Sequence, residues 1–195
     1  MQDLDALSVK QQNTTLEAFA AEMDFRWLSI DPGIKRDETG MVLFGTKGNT
    51  VWVLGDFSGR MTKQQYEAKA VEIADTYMQD GDRILVETNA HGGADEDLRV
   101  KCPKQYVEGI FQQAGQGKIA RAEKAYQLYE QGLVKHFRIF PTLHQQMAEF
   151  YAVVEDRNRS PDRVDALATG IKWHMERGKA GFAVMRVPLN VRFGY

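Results

Sequence analysis

The amino-acid sequence predicts an α/β protein, in which a mixed sheet of five or more strands is covered by helices on both faces. Three short apolar segments separated by turn residues come first, and helical and strand-like segments then alternate until two final helices. The segment Ile84-Leu85-Val86 is continuously apolar, as expected of a central strand buried on both faces. The 195-residue chain is 43% hydrophobic and 27% charged, which is ordinary for a globular domain and excludes wholesale disorder.

The first three predicted strands lie close together in the sequence. Trp27–Asp31 is stopped by Pro32-Gly33, and Met41–Thr46 and Val51–Phe57 follow it. Lys47-Gly48-Asn49 suits a tight hairpin between the second and third strands, because glycine and asparagine tolerate positive φ.

Helical spacing and capping residues indicate the remaining elements. Thr62 is suited to cap a helix that runs to Met78, and Gly132 closes a later helix. The other predicted strands are Arg83–Thr88, Tyr106–Gln112 and Val134–Phe140, and the other predicted helices are a segment ending at Arg99, Ile119–Tyr129, Leu143–Val154 and Asp162–Arg177. We therefore expect an N-terminal linker or short helix outside the core (1–25), a main domain (26–177) and a C-terminal tail packed on that domain (178–195).

Several classes of protein are excluded by composition. The longest apolar runs are a few residues, far short of the ~20 that cross a bilayer. The N-terminus carries acids and no apolar segment, so a secretory signal peptide is not expected. Cys102 is the single cysteine, which excludes an intrachain disulfide and a cysteine-based zinc site. We expect a protein of a reducing cytosol with no membrane partner.

Charge is distributed unevenly, although the formal net charge is only −2. Residues 1–100 carry 10 Lys and Arg against 18 Asp and Glu, a net of −8, whereas residues 101–195 carry 15 against 9, a net of +6. Such a folded chain can gather cations on its acids and a polyanion on its bases. Uneven charge on a solvated surface is the alternative that composition leaves open.

Three acids stand at the ends of predicted elements. Asp31 ends the first strand, Glu87 ends the central apolar strand, and Asp165 lies at the start of a late apolar helix. An unpaired carboxylate beside a buried strand costs several kcal/mol or shifts its pKa, and metal ions offset that cost. Carboxylate oxygens are preferred ligands of Mg²⁺ and Mn²⁺. If the three acids converge, they form a divalent-metal site.

Each acid also has a structural interpretation. Asp31 precedes Pro-Gly and suits a turn, and Glu87 can pair with a basic residue of a neighbouring helix. Asp165 can favour the dipole of its helix, and Asp162, which follows Ser160-Pro161, is suited to cap that helix.

Basic residues cluster in two places. Lys118, Arg121 and Lys124 are spaced by three on one predicted helix, so they share roughly one face. A glycine-rich stretch precedes that helix, and a helix N-terminus favours phosphate. Arg159 and Arg163 lie at the entry to the helix of Asp165. These five residues are our candidates for contacts with the phosphates of a polyanion, with a solvated basic face as the alternative.

Four stretches of the sequence carry a resemblance to a known family. They are SIDPG (29–33), ILVETNAHGG (84–93), GKIARAEKAYQLYEQGLVKH (117–136) and SPDRVDALATGI (160–171). In this order they resemble the C-terminal nuclease domain of the large terminase subunit of tailed bacteriophages, a member of the RNase H-like, or retroviral-integrase-like, superfamily. The resemblance spans roughly three-quarters of the chain.

The resemblance implies an RNase H-like fold for residues 26–177. It implies that Asp31, Glu87 and Asp165 bind two Mg²⁺ or Mn²⁺ ions, with Asp162 as a nearby supporting ligand. The activity implied is a metal-dependent endonuclease that cuts concatemeric viral double-stranded DNA during genome packaging, with little sequence specificity.

The resemblance also implies partners. These are double-stranded DNA, the portal protein, the small terminase subunit and, if the chain is a fragment, the N-terminal ATPase domain of the same subunit. The expected location is the host cytoplasm. Lys118 and Arg121 match the basic helix of the family. The resemblance therefore implies that the polyanion is DNA, contacted by Lys118, Arg121, Lys124, Arg159 and Arg163. Two alternatives remain: an RNase H-like Holliday-junction resolvase or RNase H, and a non-catalytic domain that docks on the portal or the small subunit.

Overall fold

The structure is a computed structural model that describes residues 15–33, 37–88, 93–111, 118–155 and 161–181, with backbone alone at 118–121, 151–155 and 178–181. In the described chain, one helix and three consecutive strands come first, helices and strands then alternate, and two consecutive helices come last. The strands are β1 (Phe25–Asp31), β2 (Gly40–Lys47), β3 (Thr50–Asp56), β4 (Arg83–Glu87), β5 (Tyr106–Ile110) and β6 (Val134–His136). The helices are α1 (Leu16–Ala21), α2 (Lys63–Tyr77), α3 (Ala94–Lys101), α4 (Lys118–Glu130), α5 (Pro141–Glu155) and α6 (Asp162–Gly181).

The strands of the described residues form one mixed six-stranded sheet in the order β5-β4-β1-β2-β3-β6. β2 is antiparallel to β1 and β3, whereas the pairs β1–β4, β4–β5 and β3–β6 are parallel. Five strands therefore point the same way, and their C-terminal ends meet beside the start of β2. We call this end of the sheet the carboxyl end. It carries Asp31, Gly40, Asp56, Glu87, Ile110 and His136.

Helices cover both faces of the sheet, which confirms the predicted architecture. α1, α2 and α3 pack on one face, against a core that includes Leu28 and Ile84. α4, α5 and α6 pack on the other, against Trp27 and Leu85. We call the second side the α6 face. No helix in the described part of the chain is long and apolar enough to cross a membrane.

Local sequence signals act as predicted at two elements. Thr62 and Gln65 form a reciprocal capping box at the start of α2, with Thr62 N donating to Gln65 Oε1 at 2.8 Å. The three central residues of β4 are fully buried, because helices cover that strand on both faces.

α6 lies against the sheet at two glycines. A Cβ on Gly170 would lie 2.4 Å from Cε2 of Phe44 and 3.1 Å from Cβ of Ser29. A Cβ on Gly40 would lie 2.1 Å from the carbonyl oxygen of Asp162. Trp27 Nε1 also donates a hydrogen bond to the Gly170 carbonyl at 3.1 Å. These contacts place the middle of α6 over the middle of β1 and its N-terminus over the carboxyl end.

The expectation that residues 1–25 lie outside the core is wrong for their last part. Phe19 of α1 is 7% exposed and packs against the rings of Trp52 and Phe137 at centroid distances of 5.1 and 4.8 Å. Residues 15–24 therefore belong to the packed domain.

Several further boundaries differ from the prediction. β6 ends at His136 instead of residue 140, and α5 already begins at Pro141, a residue favoured at the first position of a helix. α6 continues four residues past Arg177 to Gly181. The expected packing of the tail beyond that point falls on residues 182–195, which lie outside the described residues.

A chain of hydrogen bonds links α4, β6 and α5. Tyr129 Oη lies 2.6 Å from His136 Nε2, and His136 Nδ1 lies 2.8 Å from His144 Nε2. Burial, assisted by the nearby His144, lowers the pKa of His136 to about 3. Burial also lowers the pKa of His144, against the opposing charge of Asp56. Both imidazoles are therefore neutral at pH 7.

Gly40→Ala should destabilise the domain, because the added methyl group meets the backbone of Asp162. We expect a loss of about 2 kcal/mol in the free energy of unfolding, measured by urea denaturation. Gly59→Ala is the matched control, since a Cβ there meets no atom within 4 Å. Equal stability of the two variants would contradict the close approach of α6 to β2.

The buried histidine should make stability depend on pH. The folded pKa of His136 lies below its unfolded value, so the unfolded state takes up a proton first as the pH falls. Stability contributed by the neutral ring is complete above about pH 6.5 and is lost progressively towards pH 3, at up to about 1.4 kcal/mol per pH unit. Urea denaturation between about pH 7.5 and 5.5 should show a shallower decline for His136→Asn than for the wild type. Parallel declines would exclude this role.

Candidate active site

Asp31 and Glu87 end neighbouring parallel strands. The register between β1 and β4 pairs Ser29 with Leu85 and Ile30 with Val86, so the next step along both strands places Asp31 beside Glu87. Neighbouring strands are about 4.8 Å apart. The register therefore brings two acids together from distant parts of the sequence.

The alternation of side chains shows which face these acids occupy. Ile30 and Val86 belong to the core under α1, α2 and α3. Successive residues of a strand point to opposite faces, so Asp31 and Glu87 are both directed towards the α6 face. Neither acid belongs to the opposite core.

Asp165 and Asp162 reach the same place from the first turn of α6. They are 3% and 6% exposed. Gly40 is the register partner of Asp31, and its Cα is the point at which the backbone of Asp162 touches the sheet. Asp165 immediately precedes Ala166, whose Cβ also lies over Gly40. The N-terminus of α6 therefore stands above the end of β1.

The chemistry of this donor set suits hard divalent cations. Asp31, Glu87, Asp162 and Asp165 offer only carboxylate oxygens, which Mg²⁺ and Mn²⁺ prefer. Across residues 15–33, 37–88, 93–111, 118–155 and 161–181, no three His, Cys, Asp or Glu side chains are arranged as a ready group of metal ligands. Mg²⁺ does not require such a cage, because it keeps several waters and usually takes one or two carboxylates together with substrate phosphates.

Arg163 has contacts that differ from the sequence-based expectation of a DNA contact. Its Nη1 donates to Asp56 Oδ2 at 2.6 Å, and its Nε donates to Glu38 Oε2 at 2.9 Å. Burial alone would lower the pKa of Arg163, but the hydrogen bonds and charges of Glu38 and Asp56 outweigh it and raise that pKa. The guanidinium is thus engaged within the protein, and a phosphate would have to compete with two carboxylates.

Asp56 is a third strand-terminal acid at the carboxyl end, and our sequence interpretation missed it. It ends β3, just as Asp31 and Glu87 end β1 and β4. The sequence predicts that this strand runs on to Phe57, so the available signal is an acid one residue before the predicted end of a strand. Its side chain is 5% exposed and forms the ion pair with Arg163.

The remaining candidates for DNA contacts lie on α4 and in the segment before α6. α4 ends near β3, where Leu133 O accepts a hydrogen bond from Val51 N, at the end of the sheet opposite the acids. The 13 residues of α4 span about 20 Å. Lys118 and Arg121 are in its first turn, with side chains outside the described part, and Lys124 is exposed. Arg159 lies outside the described residues.

Solved structures of viral terminases share this fold. The nuclease domain of the human cytomegalovirus terminase is 15% identical to the chain, with a TM-score of 0.54 over 87% of this chain and 90% of that one. A manganese-soaked form gives 14% identity and a TM-score of 0.51, over 85% and 89%. The large terminase of a thermophilic bacteriophage gives 11% identity and a TM-score of 0.52, over 73% of this chain and 34% of that chain.

A search of curated proteins finds no match to the chain. A family model does match its sequence. The family model described as the terminase RNaseH-like domain matches residues 28–172, a span that includes Asp31, Glu87 and Asp165. This span runs from the middle of β1 to the middle of α6 and contains the whole carboxyl end of the sheet. The chain therefore belongs to the family of terminase RNase H-like domains.

Proposed function

We propose that this domain is a divalent-metal-dependent endonuclease that cuts double-stranded DNA. The observation that carries the proposal is the register of β1 and β4, which sets Asp31 beside Glu87 below the first turn of α6. Asp165 in that turn supplies a third carboxylate. Membership of the terminase family and the fold shared with viral terminase nuclease domains support it.

The acids have distinct parts in this proposal. Asp31 would help to hold both of two Mg²⁺ or Mn²⁺ ions, and Glu87 and Asp165 would each help to hold one. Asp162 would support Asp165 from the same turn of α6. Such ions, when bound, activate a water for attack on phosphorus and stabilise the leaving 3′ oxygen. The likeness to a manganese-soaked nuclease domain supports this choice of metal.

The protein also has to hold a polyanion beside its own acids. The N-terminus of α6 lies at the carboxyl end, and the positive end of its dipole favours phosphate. Lys118, Arg121 and Lys124 would add positive charge from α4, and Arg159 would add it from the segment before α6. No base-reading motif is present in the sequence, so we propose cleavage with little sequence preference.

We further propose that the activity serves viral genome packaging in the host cytoplasm. The substrate would then be concatemeric viral DNA, and the partners would be the portal protein and the small terminase subunit. The chain covers 34% of the large terminase chain of the thermophilic bacteriophage. An ATPase domain of the same subunit is therefore part of this proposal and not of the described fold.

Removing any of the three acids should abolish cleavage. We expect Asp31→Asn, Glu87→Gln and Asp165→Asn to lower Mn²⁺-dependent cleavage of a plasmid by a factor of about 100 or more. The melting temperature without metal should stay the same or rise, because neutralising one acid relieves repulsion among the others. Gel assays and calorimetry measure the two effects.

Asp80→Asn is the matched control for these variants. Asp80 is exposed in the turn between α2 and β4, at the end of the sheet opposite the acids. The Asp80→Asn variant should cleave the plasmid at the wild-type rate. Cleavage of a plasmid by Asp31→Asn at the wild-type rate would contradict the assignment of Asp31 as a metal ligand. Preferential cleavage of a four-way junction or an RNA–DNA hybrid by the wild type would move the substrate to the resolvase or RNase H class.

The basic residues of α4 should determine how DNA binding responds to salt. In Lys118→Gln/Arg121→Gln, the slope of log K against log salt should become shallower by about 0.9 for each phosphate contact removed. Fluorescence anisotropy of a labelled duplex in EDTA measures it without cleavage. Lys104→Gln, an exposed change between α3 and β5, should leave the slope unaltered. An unchanged slope in the double variant would place the DNA elsewhere.

A further inference from the structure

Arg163 joins three segments of the chain at the carboxyl end. It is the second residue of α6, two positions before Asp165. Its guanidinium binds Glu38, in the segment that follows Asp31, through Nε at 2.9 Å and Nη2 at 3.2 Å, and it binds Asp56 at the end of β3 through Nη1 at 2.6 Å. Arg163 therefore makes a bidentate contact with Glu38 and a single hydrogen bond with Asp56.

Gln146 of α5 extends the same network. Arg163 N donates to Gln146 Oε1 at 3.2 Å, and Gln146 Nε2 donates to Glu38 Oε2 at 3.4 Å. Both the backbone and the side chain of Arg163 are therefore held. The first turn of α6 cannot rotate or slide along the sheet without breaking several hydrogen bonds at once.

Because these ion pairs are buried, the loss of one partner costs more stability than it would on an open surface. The side chains of Arg163 and Asp56 are 11% and 5% exposed, and that of Glu38 is 30% exposed. Removal of one partner from a buried pair leaves an uncompensated charge. Glu38 and Asp56 lie at the end of the sheet that carries the candidate metal ligands. Because both are paired with Arg163, they do not compete with those ligands for cations.

We propose that Arg163 is a positioning residue that holds the first turn of α6, and with it Asp165, against the end of β1, while it withdraws Glu38 and Asp56 from metal binding. This inference rests on the proposed metal site. It replaces the sequence-based expectation that Arg163 contacts a DNA phosphate.

The two roles of Arg163, positioning Asp165 or contacting a phosphate, make different predictions for Glu38→Gln. If Arg163 positions Asp165, then Glu38→Gln loosens the network and weakens metal binding, as Arg163→Gln does. If Arg163 is a phosphate contact restrained by Glu38, then Glu38→Gln releases the guanidinium and tightens DNA binding. Glu38 is partly exposed and keeps a neutral side chain of the same size in the variant, so we expect that variant to fold.

The experiment compares Mn²⁺ affinity by isothermal titration calorimetry with duplex affinity in EDTA by anisotropy. We expect Arg163→Gln to weaken Mn²⁺ binding about tenfold and Glu38→Gln to weaken it several-fold, with duplex affinity within twofold of wild type. Arg163→Lys should give an intermediate loss, because lysine keeps the charge but not the fork. Arg177→Gln is the matched control on the same helix: Arg177 pairs with Glu108, and Mn²⁺ affinity should not change.

Two results would overturn the inference. One is unchanged Mn²⁺ affinity in Arg163→Gln and Glu38→Gln. The other is weaker DNA binding in Arg163→Gln together with tighter DNA binding in Glu38→Gln. The proposed function fails separately, if the wild type binds Mn²⁺ but does not cut DNA, because the calorimetric comparison does not depend on cleavage.

Discussion

The parallel register of β1 and β4 is the constraint on which the candidate site depends. A shift of one residue would turn one acid to the opposite face of the sheet, into the core under α2 and α3. The buried apolar residues on both faces of these strands prevent such a shift, because every one of them would exchange its core for the other. The packing of Ile30 and Val86 thus specifies where Asp31 and Glu87 stand.

The third acid depends on a different kind of contact. α6 approaches the sheet at Gly40 and Gly170, and larger residues at either position would push the helix away. The close approach lets the first turn of a long helix reach the ends of two strands. Small residues and hydrogen bonds from Trp27 and Arg163 together determine the location of Asp165.

The sequence predicts local structure well and long-range partners poorly. Short apolar segments and turn residues predict β1 and β4, and therefore the positions of Asp31 and Glu87 at their ends. Asp56 is hidden because the apolar pattern of its strand runs on to Phe57, so the acid looks internal. The partners of Arg163 lie 107 and 125 positions away, and a charge alone does not reveal whether it meets a carboxylate or a phosphate. The DNA contacts of Lys118 and Arg121 remain predictions, because a charge alone does not identify the group that it binds.

The packing of α1 has a mechanical consequence. Phe19 stacks on Phe137 and meets the edge of Trp52, so this short helix is attached beside β3 and β6, on the face opposite α6. A pull transmitted through the backbone from the N-terminal side would load that flank of the sheet before it reached β1. The acids lie on the other face, and Asp31 is at the end of β1 farthest from α1 along the chain.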